Sequence, residues 1–105
     1  MQLQMHWGTF VKAIASAPGS TSVKVCLEIA ETALRRFSFL VFDPADEAGD
    51  YAVAGQQPNG EVIVQVVCVP LGGINTWIIV SAYSNNSSLA EQMRNLVRQF
   101  IVDQT

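Results

Sequence analysis

Two apolar, β-branched runs joined at Gly72-Gly73, within Glu61–Ser84 (EVIVQVVCVPLGGINTWIIVSAYS), constrain this chain more than any other feature. Runs of that kind meeting at a glycine pair read as a long β-hairpin, with strands over about 61–69 and 75–84. Upstream, Pro58-Asn59-Gly60 marks a tight turn, because asparagine and glycine tolerate the positive φ that hairpin turns require. That turn leads back to a short strand at Tyr51–Gln56, and a further short strand, SFLVFD at 38–43, ends at Asp43-Pro44 because proline cannot continue a ladder.

The helices are set by periodicity. From Ser22 to about Phe37, the positions Val23, Cys26, Ala30, Ala33, Leu34 and Phe37 recur at spacings of three and four, and Arg35 and Arg36 suit the negative end of a helix dipole. Val23, Val25, Leu27 and Ile29 also alternate with period two, so a strand over 22–29 competes. The helix-forming AETALRR that follows decides for a helix. A second stripe, Ala90, Met93, Leu96, Val97, Phe100 and Ile101, predicts a helix from Ser88 to about Asp103, opened by a Ser88/Glu91 capping box. Aromatic and aliphatic residues over 5–15, with Gly8 inside, predict a first strand with a bulge or bend.

The resulting order is strand, helix, four-strand meander, helix. It predicts an α+β two-layer sandwich with a mainly antiparallel sheet, both helices on one face, as a single domain over residues 1–105. Chains of this length that pair sheets back to back include the dimeric ferredoxin-like α+β barrels. The order here departs from their βαββαβ pattern, so no residue roles are carried over from them.

If Gly72 and Gly73 are the two loop residues, Cys68 faces Trp77, Val66 faces Ile79, Val64 faces Ser81 and Val62 faces Tyr83. Opposed residues share a sheet face. One face then holds Val62, Val64, Val66, Cys68, Trp77, Ile79 and Tyr83, joined by Tyr51 and Val53. The other holds Ile63, Gln65, Val67, Val69, Thr76, Ile78, Val80 and Ala82, with Ala52, Ala54 and Gln56 alongside. The helices are assigned to the first face, because an unpaired polar group in a dry core costs about 1–3 kcal/mol and the second face carries Gln56, Gln65 and Thr76. The second face still presents five large aliphatics, Ile63, Val67, Val69, Ile78 and Val80, and a monomer rarely leaves such a patch wet.

The favoured expectation is a non-catalytic interaction module that forms a homodimer through Ile63, Gln65, Val67, Val69, Ile78 and Val80. A competing expectation has the N-terminal segment folding across that face. The alternative function is a small-molecule-binding protein or modest enzyme, with an apolar ligand held between helices and sheet near Trp77, Tyr83 and Tyr51, and His6 within reach.

Other chemistry is sparse. His6 is the one histidine, and no nucleophile with an orienting acid accompanies it in sequence, so a structural role is expected. The acidic loop Asp43, Asp46, Glu47, Asp50 lacks the alternating oxygens of a calcium loop and reads as a solvated turn. Asn85, Asn86, Ser87 and Ser88 read as capping residues rather than as an anion site. No cofactor or metal is expected.

The net charge of -3 and scattered basic residues argue against nucleic acid as a partner, which needs a concentrated basic stripe. No run approaches the ~18 apolar residues of a membrane span. Ala13–Ala17 loosely resembles a small-residue cleavage site, but no basic stretch precedes it, and the N-terminus is read as part of the mature domain. Cys26 and Cys68 both sit in apolar surroundings and are expected as buried reduced thiols in a cytoplasmic protein. The competing possibility, a disulfide, would imply secretion.

Overall fold

The computed structural model describes residues 4–13, 22–43, 51–72 and 75–104. Along the chain these form β1 (Gln4–Ala13), α1 (Ser22–Arg36), β2 (Leu40–Asp43), β3 (Ala52–Gln56), β4 (Ile63–Gly72), β5 (Asn75–Ser84) and α2 (Ser87–Gln104). The strands make one antiparallel sheet in the order β1-β5-β4-β3-β2. Both helices lie on one side of it and touch each other, α1 over β4, β3 and β2 and α2 over β1 and β5. This is the α+β two-layer sandwich that the periodicities predict.

Helix wins over strand at 22–29 because the helical stripe is the one that buries. Val23, Cys26, Leu27, Ala30, Ala33 and Leu34 are in the core, whereas Val25 and Ile29 pack only partly against it. The helix stops in a Schellman turn. Ser38 adopts φ 65, Phe39 N–H donates to Leu34 O at 2.9 Å and Ser38 N–H to Arg35 O at 3.1 Å. Leu34 and Phe39 then meet in the core, the apolar contact that accompanies this cap. Beneath that turn runs β3, where Gly55 leaves little room for a side chain: a Cβ there would lie 3.1 Å from Phe39 Cβ and 3.2 Å from Leu40 O, tighter than ordinary contact.

The second helix begins one residue earlier than its predicted capping box. Leu89 N–H donates to Asn86 Oδ1 at 3.1 Å, so Asn86 is the N-cap rather than Ser88. The helices contact each other partly through Phe37 and Phe100, whose rings meet edge to face at 6.2 Å.

The central hairpin departs from expectation by one residue. Its register pairs Val64 with Ala82, Val66 with Val80 and Cys68 with Ile78, while Gln65 faces Ser81, Val67 faces Ile79 and Val69 faces Trp77. Gly72, expected in the loop, is the last residue of β4 and pairs with Asn75, so the strands meet later than expected, and an irregularity between Pro70 and Gly72 inserts Leu71 as an extra residue on β4, which reverses the parity. Proline, having no N–H to donate, is at home beside such a bulge. Because side chains alternate, a slip of one residue turns every β5 side chain to the opposite face. Ile78 and Val80, expected on the open face, are 0% exposed beneath the helices, and Trp77, Ile79 and Tyr83 take the outer face instead. β3 and β4 keep their expected faces, with Val53, Val62, Val64, Val66 and Cys68 in the core. Thr76 also moves inward, where its Oγ1 is buried without a hydrogen-bond partner.

The two cysteines are joined. A Cys26–Cys68 disulfide ties α1 to β4 across a sequence separation of 42, and both residues are 0% exposed. This corrects the expectation of reduced thiols. Two cysteines on facing core stripes of adjacent layers come within the Cα separation a disulfide requires, here 6.3 Å.

The sheet ends differently at its two edges. β1 pairs with β5 through ten consecutive positions without a bulge, Gly8 included, whereas β2 is four residues long and its pairing shifts between Val41 and Asp43.

Candidate functional site

The face of the sheet turned away from the helices is the candidate site. Its rows follow from the register. Met5, Tyr83, Ile63, Gln56 and Leu40 align across all five strands, then Ser81, Gln65 and Ala54, then Ile79, Val67 and Ala52, and finally Trp77 and Val69. The paired positions of β3, β4 and β5 on this face carry no charged residue. Among the described residues no helix or strand packs over it: α1 and α2 are both on the opposite side. Val67, Val69, Ile63 and Ile79 are half-buried. Trp77 is 38% exposed, and Met5 and Leu40 more so.

The expectation that the N-terminal segment covers this face does not hold for residues 4–13. They form β1, beside β5 in the plane of the sheet. Of the residues expected at the open face, Ile63, Gln65, Val67 and Val69 are there and Ile78 and Val80 are not. Trp77 and Tyr83 are the outer-face residues that sequence reasoning placed inside. The signal that could have found them is Pro70, a residue unsuited to a regular central strand, two positions before the glycine pair.

The aromatic residues expected around a ligand are not gathered. Trp77 and Tyr83 share the outer face but lie six positions apart on β5, roughly 20 Å along an extended strand. Tyr51 precedes β3, and its carbonyl accepts the Cys68 N–H at 2.8 Å, which puts it in the register of the helix-covered face, with its side chain largely exposed. His6 pairs with Ala82, also in a helix-side row, and its side chain is outside the described residues. The interior between helices and sheet is occupied by the aliphatic core from Val53 to Ile101. A depression of about 530 Å³ lies instead on the outer surface of α2, lined by Ser88, Glu91, Gln92, Asn95, Leu96 and Gln99. Its walls come from one helix face, without convergent groups from a second element.

Asp46, Glu47 and Asp50 of the acidic loop lie outside the described residues, as does Gly73. Among the described residues no three His, Cys, Asp or Glu side chains cluster as metal ligands, and no helix is long and apolar enough to cross a membrane. Asn86, at the start of α2, has its side-chain oxygen engaged by the helix it caps. No family model, no curated protein and no solved structure matches this chain.

Proposed function

We propose that this chain is a non-catalytic interaction module that pairs with a second copy of itself through the outer sheet face. The observation that carries the reading is a sheet face whose three inner strands, β3, β4 and β5, carry no charged residue and are rich in β-branched ones, with both helices on the other side. Burying each large aliphatic of that face is worth about 1.5–3 kcal/mol before entropic costs. The extent of the face fits the role. Five strands about 4.8 Å apart and about 25 Å long give roughly 600 Å² of projected face, close to the ~800 Å² of accessible surface per partner in a standard interface. A second copy suits it because the three inner strands of the face have no charge that a hetero-partner would need to complement, and aromatic Trp77 stands at one end as an anchor.

The Cys26–Cys68 disulfide supports an oxidising compartment, since buried structural disulfides persist outside the reducing cytosol. The working environment proposed is therefore secreted or otherwise extracytoplasmic.

Sedimentation of the wild type and of Val67→Glu tests the pairing. The wild type is expected as a dimer at micromolar concentration and the variant as a folded monomer, because a carboxylate would be forced into the middle of the contact. If both sediment as monomers of equal stability, the proposed pairing is wrong.

A further inference from the structure

Gln65 lies on the middle strand of the outer face, in the second of its four rows. β4 is the middle strand of the five, and Gln65 lies between the rows of Ile63 and Val67. Its in-register neighbours are short: Ala54 on one side and Ser81 on the other. Although nothing described covers this face, Ala54 is only 5% and Ser81 only 8% exposed. Gln65 is thus the one long side chain of its row on the three inner strands, between short neighbours, and the row continues to Trp7 on β1 and Asp43 on β2 at the sheet edges.

Identical faces pack about a two-fold axis. Face to face, that axis is a line lying between the two sheets, and overlap is greatest when it runs through the centre of the patch. A residue on that line meets its own counterpart. A primary amide suits such a meeting, since it holds both donors and an acceptor. Each can donate an N–H to the other's carbonyl oxygen, and the pair of bonds is unchanged by the two-fold. A carboxylate or an ammonium group at the same place would meet its own charge.

We infer that Gln65 lies on the two-fold axis of the dimer proposed above, and that its amide pairs with the amide of Gln65 in the second copy. The inference rests on that dimer. Gln65 then sets the orientation in which two otherwise apolar faces meet, as a polar residue in an apolar seam sets register elsewhere.

Cysteine cross-linking tests it. Both native cysteines are engaged, so an introduced cysteine is the only thiol. Gln65→Cys is expected to give a covalent dimer on non-reducing electrophoresis after mild oxidation. Val69→Cys and Leu40→Cys serve as controls on the same face. One line through Gln65 cannot also pass over both, so at least one of them stays uncrosslinked. Gln65→Glu supplies a second readout: self-association at least tenfold weaker than wild type at pH 7, recovering near pH 4, where a protonated carboxyl can pair as the amide does.

If Gln65→Cys fails to cross-link while wild type sediments as a dimer, or if all three variants cross-link alike, the axis assignment falls and the dimer stands. Gln65→Glu associating like wild type at pH 7 overturns it as well. Monomeric wild type removes the dimer itself.

Discussion

Reducing the Cys26–Cys68 bridge should weaken the fold by about 4 kcal/mol. The bridge closes a covalent loop over a separation of 42 residues. The chain-entropy model for a loop of that length gives about 13 cal/mol/K of lost denatured-state freedom, or about 4 kcal/mol at 25 °C. That is a thousandfold change, roughly, in the folded-to-unfolded ratio, and a large share of the 5–15 kcal/mol typical of a domain. The assay is urea unfolding of oxidised protein against protein reduced while denatured and refolded in reductant. The midpoint should fall by about 2–3 M, and the slope should steepen, because an uncrosslinked chain exposes more surface on unfolding. Keeping the wild-type sequence avoids the cavity or unpaired hydroxyl that Cys→Ala or Cys→Ser would leave at two fully buried positions. A second readout is the rate of thiol release. Both cysteines are 0% exposed, so a reducing thiolate cannot reach either sulfur without an opening of the fold. Coincident unfolding curves for the two forms would refute the assignment of α1 and β4 as covalently tied, and rapid thiol release from native protein would refute the burial of the bridge.

Three further changes probe the parts that hold the face in place. Gly55→Ala should destabilise by about 1–3 kcal/mol in denaturant unfolding, since the new methyl meets Phe39 Cβ and the Leu40 carbonyl at 3.1 and 3.2 Å; an unchanged midpoint would mean that β3 sits looser beneath α1. Ser38→Gly should stabilise by about 1 kcal/mol, because φ 65 is a conformation that glycine adopts without the Cβ penalty, and a loss of stability there would contradict the helix stop described. Thr76→Val should raise the thermal midpoint, by an amount corresponding to about 1–2 kcal/mol, since it removes a buried hydroxyl that has no hydrogen-bond partner; a fall would reveal a partner for Oγ1.

Much of this fold could be read from residue patterns, and the exceptions share a cause. Both helices follow from apolar spacing, because each has a single stripe and only one way to bury it. β3 and β4 follow from alternation, because Gln56 and Gln65 mark the side that stays outside. In β5 the run TWIIVSAY is apolar at both parities, so hydrophobicity cannot choose its face. The choice passes to the connection, and there one extra residue at Leu71 decides it. Counting back from Gly72-Gly73 therefore sends Trp77 and Tyr83 inward and Ile78 and Val80 outward, the reverse of their positions. The cysteine pairing was hidden differently. Cys26 and Cys68 were each correctly placed on an apolar stripe, but whether two stripes face each other at bonding distance is a property of layer packing, which periodicity in one segment does not contain. The open face was legible in kind, through Gln65 and the lack of a third layer among the described residues, and misread on β5, where Ile78 and Val80 were expected.

The unequal edges of the sheet bear on fibrous growth. A sheet that lengthens without limit must accept a new strand at both ends. β1 presents ten regular positions, while β2 stops after four and carries Phe42 as an extra, exposed residue where its pairing shifts. Short and bulged edges are poor templates for further strands. Two copies joined β1 to β1 would leave only β2 edges outward, and addition would halt at the pair. The short length of β2 and its misfit residue thus work against runaway polymerisation by strand addition, independently of what happens on the face.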